Sequence, residues 1–366
     1  MAGGDNVTEN PMRPAPRTVV VAMSGGVDSS VAAACCLDRG WNVLGVTLEL
    51  QATPEMSAAA VTDAARVCHH LGIPHHVLNL RDAFRDEVLR PSWEEYCRGR
   101  TPNPCIRCNP RVKFGRLLEF ADRHGANGIV TGHHARVVHP ADGSPPELRR
   151  GHDAGKDQSY FLCRLSVAQL ARIDFPVGEM TKAEVRAEAR RRDLPTAERR
   201  ESQDACFSVP GETCAVTLAR LFNASSTPGC LLDPAGHEVG RHDGIHRFTI
   251  GQRHGLGIAL GRPAFVTRID GATGNVHVSV DPADLQGSAL TATGMNWLIP
   301  PPAAPLSCLT QIRYRHAPRM ATVQVLDDDR ADVHFPDPER GVAPGQAVVF
   351  YDADRVLGGG WIDRVG

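Results

Sequence analysis

No apolar run in these 366 residues approaches the roughly 20 that a membrane-spanning helix needs, which argues against a helical membrane protein. The opening MAGGDNVTENPMRPAPR is polar and proline-bearing and lacks the apolar core of a secretory leader. Residues 1–16 therefore read as a disordered lead-in, and the expected compartment is the cytoplasm. Excess charge is absent too. Forty Lys and Arg stand against 42 Asp and Glu, a net charge of −2, so a uniformly basic nucleic-acid binder is excluded. A polyanionic partner would have to be held by local patches. No GxxxxGK[ST] loop, no second CxxC and no internal repeat occurs. The 11 cysteines are odd in number, and Cys35 and Cys36 sit in the apolar run VAAACCL; this fits reduced thiols better than a secreted disulfide framework. With 42% hydrophobic and 22% charged residues, the chain is expected to fold into two or three domains.

The first third alternates strand and helix patterns. TVVVAM (residues 18–23) is a continuous apolar run, as a strand covered on both faces requires. SVAAACCLDRG follows as a helix closing on Gly40, then WNVLGVTLEL as a strand, residues 58–71 as a helix, and HHVLNL as a strand. A helical stretch from Ala83 is expected to be interrupted near Pro91. VKFGRLLEFADRHG reads as a helix and NGIVTGHH as a strand end. Short connections between such units predict a doubly wound parallel α/β sheet, which binds ligands at the carboxyl ends of its strands. SGGVDS lies at the first such end. Gly25 and Gly26 let the backbone approach a phosphate, the next helix offers its N-terminal amides, and Ser24 and Ser29 add hydroxyls. Asp28 is placed to hold Mg²⁺ against the phosphates. The plainer reading, a glycine turn with a serine cap, explains less of this spacing. SGGVDS matches the PP-loop of enzymes that split ATP into AMP and pyrophosphate. GLGIALG (255–261) lacks GxGxxG spacing and reads as a loop.

TPNPCIRCN (101–109) raises a question of chemistry. With Asn109 as N-cap and Pro110 as first helical residue, Cys108 would precede a helix N-terminus, flanked by Arg107 and Arg111. Both features favour a thiolate nucleophile. A zinc knuckle lacks its other ligands, a thioredoxin-type redox turn does not resemble this proline-rich loop, and two inert buried thiols suit it poorly. Cys206, in ESQDACF, is a second candidate that alone would read as packing.

SGGVDS, GRTPNPCIRCN with VKF, VTGHHAR, GHDAGKDQSYFL, FPVGEMTKAEVR, ESQDACF, GQRHGLGI, RYRHAP, VAPGQAVVFY and LGGGWI occur in one order. From about residue 17 to the end, this set resembles the tRNA-specific 2-thiouridylase family (MnmA/TrmU). The resemblance implies an ATP-dependent sulfurtransferase that adenylates the C2 oxygen of the tRNA wobble uridine and displaces AMP with persulfide sulfur. It implies tRNA, through its anticodon stem-loop, as one partner, and a persulfide donor or relay protein as another. Cys108 stands at the family's nucleophile and Cys206 at its persulfide-bearing cysteine, with a transient Cys108–Cys206 disulfide implied at each turnover. The loop bearing Cys206 must then fold over the ATP site. Ala22, Met23, Ser24, Gly25, Gly26, Val27, Asp28, Ser29, Leu48 and Gly132 would bind ATP. Asn103, Pro104 and Cys105 would lie beside the extruded target base. His133, Lys156, Asp157, Gln158, Arg313, Tyr314 and Gln346 would touch tRNA. Many relatives carry an aspartate where this chain has Cys105, which leaves the general base open and raises a second expectation, a 4Fe–4S cluster on Cys105, Cys108 and Cys206. Two other readings stand beside thiolation: another PP-loop adenylating enzyme that forms an amide on tRNA, and a non-catalytic tRNA-binding protein.

MTKAEVRAEARRRDLPTAERR opens with capping-box spacing at Thr181 and Glu184. Its Lys182, Arg186, Arg190, Arg191, Arg192, Arg199 and Arg200 read as a grip on the tRNA backbone, with a solvated charged face as the alternative. From about residue 215 short strands dominate, TRIDGATGNVHVSV reads as a hairpin, and IPPPAAP (299–305) breaks the chain. The expected division is a PP-loop domain over 17–212, a small central domain over 213–290 and a C-terminal β-barrel over 291–366.

Overall fold

The computed structural model describes residues 16–51, 54–199, 206–209, 211–223 and 227–366. The expected lead-in lies outside these residues apart from Pro16, as do Arg200 and the 201–205 approach to Cys206.

The valine run of the first strand organises the molecule. Strand β1 (Thr18–Ala22) is the centre of a parallel sheet with β2 (Asn42–Glu49), β3 (His75–Asn79), β4 (Gly128–Val130) and, after the hairpin β5 (Ala135–Val138) and β6 (Glu147–Arg150), β7 (Ile173–Asp174). Their order is β3-β2-β1-β4-β7. Val19 and Val21 enter one core with α1 (Val27–Asp38) and α2 (Pro54–Leu71), while Val20 enters the opposite core with the helix Phe114–Arg123. Alternation along a strand with both faces covered explains why all three are apolar and fully buried. Each such valine contributes about 1.5–3 kcal/mol relative to an exposed one. Strand order reverses at β1, which makes the loops that leave β1 and β4 the switch point where sheets of this kind bind ligands.

Prolines punctuate the helices differently from the sequence reading. The helical stretch from Arg81 runs through Pro91 to Cys97, with a π-helical segment at Arg85–Leu89. The segment Pro104–Cys108, a π turn at Asn109–Lys113 and the helix Phe114–Arg123 are likewise consecutive. Widening to a π turn accommodates a residue that cannot donate to the ordinary ladder.

The central part is a four-stranded sheet of β8 (Gly229–Leu232), β9 (Glu238–His242), β10 (Phe265–Asp270) and β11 (Asn275–Ser279) in the order β10-β11-β8-β9. The expected hairpin is β10–β11, and residues 255–261 run as a loop. The helix Cys214–Leu221 packs on the first domain, where Ala215 and Leu218 join Phe84, Val88 and Cys108. The C-terminal part is a closed six-stranded barrel of β12 (Gln286–Trp297), β13 (Leu306–Gln311), β14 (Arg319–Val325), β15 (Arg330–Arg340), β16 (Ala347–Asp352) and β17 (Arg355–Val365). Pairing of β12 with β17 closes it and leaves it no free edge of its own. The β5–β6 hairpin of the first domain extends this sheet through β17.

This docking fixes the approach to the cysteine motif. Arg100 bonds Asp363 at 2.9 Å, Gln346 Nε2 donates to the Thr101 carbonyl at 3.0 Å, and the Thr101 amide donates to the Pro344 carbonyl at 2.8 Å. Among the described residues, no helix is long and apolar enough to cross a membrane.

Candidate active site

The turn after β1 is held by its own hydroxyls. Ser29 Oγ donates to the Gly26 carbonyl at 3.0 Å and lies 3.1 Å from Ser24 Oγ. Ser30 Oγ donates to the same carbonyl at 2.8 Å. Gly25 has φ +71°, and a Cβ there would meet the Ala60 carbonyl at 2.8 Å, so the position needs glycine twice over. Gly132, leaving β4, packs so closely that a Cβ would lie 2.6 Å from the Asp28 carbonyl carbon and the Ser29 amide nitrogen. The two switch-point loops therefore touch. Leu48 sits half-buried near the end of β2, next to cores on either side.

Asp28 has cationic company that the sequence reading did not assign. Lys182 Nζ donates to both its oxygens, at 2.7 and 2.8 Å, and His134 Nε2 approaches Oδ1 at 3.3 Å. Burial pushes the carboxyl up, but hydrogen bonds from His134 and Lys182 outweigh it and hold Asp28 below its ordinary value. Both Asp28 oxygens accept from Lys182 in this arrangement, so a Mg²⁺ ion held there would share the carboxylate with an ammonium. The capping box at Thr181 and Glu184 forms as expected and aims Lys182. Its other cations are spent within the protein: Arg186 on the carbonyls of Ala197 and Arg199, Arg190 on Glu198, Arg191 on Glu188, and Arg192 on Asp38 and Glu188. Arg199 donates to the Gly25 carbonyl at 2.7 Å and also to Asp63. The basic stretch thus braces the phosphate-binding turn, and its tRNA reading loses most of its free charge.

The cysteine motif departs from expectation. Asn103, not Asn109, is the N-cap, accepting from the Ile106 amide, and Pro104 is the first helical residue. Two Asn-Pro pairs lie six residues apart, and the helix starts at the earlier one. Asn109 is buried instead, its Nδ2 donating to the Phe161 carbonyl at 2.8 Å. Cys108 therefore lies inside a helical run and is 2% exposed. Burial pushes its thiol up to about 12, so the expected resting thiolate is a neutral thiol. Its cation is Lys113, while Arg107 lies 5.6 Å from the Trp361 ring.

Lys113 is the residue that spacing alone did not reveal. Its ammonium acts on Cys105, Cys108 and Cys206 together. Burial pulls Lys113 down, but these three sulfurs outweigh it and keep it above its ordinary value. Gln51 Nε2 donates to the Cys206 carbonyl at 2.9 Å, and Phe207 is buried 6.2 Å from Phe84. Cys206 keeps an exposed surface, yet protein crowds its thiol and pushes it up to about 11. Burial also raises Cys105. All 11 cysteines are free. Among the described residues, no three His, Cys, Asp or Glu side chains are arranged to hold a metal ion. That arrangement does not fit a 4Fe–4S cluster on Cys105, Cys108 and Cys206.

His133 joins the two halves. Its Nδ1 lies 2.6 Å from Thr131 Oγ1, its ring packs 5.6 Å from Phe114, and Lys113 and Asp28 both act on it. Burial pushes it down to about 3, so at neutral pH it offers a hydrogen bond rather than a positive charge. Asp157 is buried, bonding Arg150 at 2.9 Å and the amides of Gly151 and Ser159 at 3.0 Å. Gln158 Oε1 accepts from the His134 amide at 2.9 Å, and Lys156 stays half-buried beside them. Tyr314 packs 4.4 Å from Phe161, and exposed Arg313 bonds the Arg340 carbonyl at 3.1 Å. A cleft of about 150 Å³ bounded by Pro102, Asn103, Arg107 and Trp361 opens beside the cysteine helix.

The family model described as a tRNA methyl transferase HUP domain matches residues 17–210. A tRNA methyl transferase PRC-barrel domain matches 217–280, and an aminomethyltransferase β-barrel domain matches 287–362. A protein of Syntrophotalea carbinolica named tRNA-specific 2-thiouridylase MnmA is 47% identical over 96% of this chain and 100% of its own. Proteins of the same name from Geobacter metallireducens and Geotalea uraniireducens are 45% and 44% identical, each over 95% of this chain and over 97% and 95% of their own lengths.

Proposed function

The chain belongs to the tRNA-specific 2-thiouridylase family, and we propose that it replaces the C2 oxygen of the tRNA wobble uridine with sulfur, using ATP as a substrate. One observation carries this reading: three thiols share one buried ammonium beside a turn shaped for phosphates. The family-model descriptions speak of methyl transfer, whereas the full-length relatives are named for thiolation. The phosphate-binding turn and the convergent thiols favour thiolation, since methyl transfer gives neither of them work.

The residues divide the task by burial. The turn Ala22–Ser29 takes the phosphates, with Leu48 and Gly132 beside the nucleotide. Uridine O2 attacks the α-phosphorus and pyrophosphate leaves. Cys206, the exposed thiol, receives sulfane sulfur from a persulfide donor or relay protein. Its terminal sulfur attacks C2, and AMP leaves with the former O2. Cys108 then attacks the inner Cys206 sulfur, forming a Cys108–Cys206 disulfide and freeing the thiolated base. Asn103, Pro104 and Cys105 border the extruded base. Lys156, Arg313, Tyr314 and Gln346 contact the anticodon stem-loop, and Asp157, Gln158 and His133 shape that surface from within. Domain limits at 17–212, 213–290 and 291–366 belong to the same proposal.

The test is nucleoside mass spectrometry of tRNA incubated with ATP, Mg²⁺ and inorganic polysulfide as the sulfane-sulfur donor. Wild type yields 2-thiouridine, and Cys108→Ser and Cys206→Ser lose it with a persulfide donor. Full 2-thiouridine from both variants would overturn the roles given to the two cysteines, and no 2-thiouridine from wild type would point to an amide-forming PP-loop enzyme or another chemistry.

A further inference from the structure

A fourth thiol stands next to this trio. Cys214 begins the helix Cys214–Leu221, behind the N-cap Thr213. The chain turns back after Cys206, so that Cys214 Sγ lies 3.6 Å from Ser208 Oγ, two residues from Cys206. A hydrogen bond from the Glu212 amide to the Val209 carbonyl, 3.0 Å, helps close this turn. Cys214 also packs against the cluster that buries Cys108 and Phe207. It is close enough for its charge to act on both Cys206 and Cys105. The exposures are graded: Cys108 is 2% exposed, Cys214 is partly open, and Cys206 is exposed.

Resting on the thiolation reading, we propose that Cys214 is a resolving thiol that moves the turnover disulfide from buried Cys108 to the surface. The Cys214 thiolate attacks Cys206 Sγ. The Cys108–Cys206 bond breaks, a Cys206–Cys214 bond forms, and the Cys108 sulfur leaves with the electron pair. Lys113 gives that sulfur a proton and regains one from solvent, replacing the proton lost when Cys214 ionised. Neither an oxidant nor a net proton is consumed. A dithiol reductant then opens Cys206–Cys214 by attack at either of two solvent-reaching sulfurs, whereas in Cys108–Cys206 only the Cys206 sulfur is open to it. The exchange also restores Cys108 as a free thiol before Cys206 is reloaded.

The experiment is one turnover without reductant. Full-length enzyme is loaded with sulfane sulfur by inorganic polysulfide, desalted, and mixed with ATP, Mg²⁺ and unmodified tRNA. Iodoacetamide in denaturing guanidinium quenches at timed points, so that buried thiols are alkylated too, and peptides and nucleosides are mapped by mass spectrometry. The expected result is transient Cys108–Cys206 followed by Cys206–Cys214, with Cys108 alkylated. In Cys214→Ser the first-turnover yield of 2-thiouridine persists, because Cys214 acts only after the base is released. That variant accumulates Cys108–Cys206, and its later turnovers with a protein dithiol reductant are lost or slowed. Alkylated Cys214 beside a lasting Cys108–Cys206 bond in wild type would overturn the relay and leave thiolation standing. Product formation with no disulfide at Cys206 would overturn the relay together with the Cys108–Cys206 step it starts from, whereas no 2-thiouridine from wild type would overturn the thiolation reading.

Discussion

Burial sets a rate that alkylation can measure. At pH 7.5, a thiol pushed up to about 12, as Cys108 is, exists as thiolate in roughly three molecules per 100,000, against about one in ten for an ordinary thiol. That is a deficit of about 3,000-fold. The more basic thiolate is intrinsically the better nucleophile, and a Brønsted slope of 0.4–0.5 recovers roughly 40-fold of it. Cys108 in the free enzyme should therefore react with iodoacetamide about a hundredfold more slowly than an ordinary thiol, before any steric shielding is added. Its rate should climb about tenfold per pH unit from 7 to 10. Cys206, raised to about 11, should fall between the two. Lys113→Met removes the one nearby ammonium and should slow Cys108 further. Timed alkylation with peptide mass spectrometry across this pH range reads all of these rates. A fast, pH-independent reaction of Cys108 below pH 8 would mean that the thiol rests ionised, and the burial argument would fail.

Two further outcomes follow from the switch point. Gly132→Ala forces a Cβ against the backbone of Asp28 and Ser29, contacts of 2.6 Å, at a cost of about 1–3 kcal/mol. Urea unfolding should show the loss and ATP titration a weaker affinity; wild-type values in both would refute the packing. Lys182→Met leaves Asp28 with His134 alone. Breaking a buried pair costs roughly 3–5 kcal/mol, and because Asp28 is 30% exposed about 1–3 kcal/mol is expected here. Asp28 is depressed in the fold, so its contribution is present above about pH 4 and fades as pH falls through the lower folded value. The stability gap between wild type and variant should be full at pH 7 and shrink below pH 4. A gap independent of pH would assign the loss to packing.

The sheet was legible because VVV, the closing Gly40 and SGGVDS agree at every level from periodicity to turn chemistry. The cysteine helix was not, because PNPCIRCNP offers the same start signal twice and local rules cannot rank them. Tertiary bonds decide: Asn109 is claimed by the Phe161 carbonyl, and Thr101 is tied to the barrel. The basic helix misled for a related reason. Charge counts along the sequence do not show that Lys182 reaches Asp28, 154 residues away, or that Arg192 reaches Asp38, also 154 away. Lys113 was hidden inside the motif VKF because its value comes from three sulfurs gathered from two distant segments.

That gathering also bears on the order of events. One ammonium faces three thiols, so the site compensates one negative sulfur at a time. A second thiolate would be an unpaired buried charge, which burial penalises heavily. On the proposed mechanism, the ionised terminal sulfur on Cys206 would spend its charge on the uridine carbon before Cys108 ionises. On that mechanism, sequential delivery with no premature attack of Cys108 on the loaded Cys206 would follow from charge count. Replacing Cys105 by aspartate would place an anion beside Lys113 and change that count.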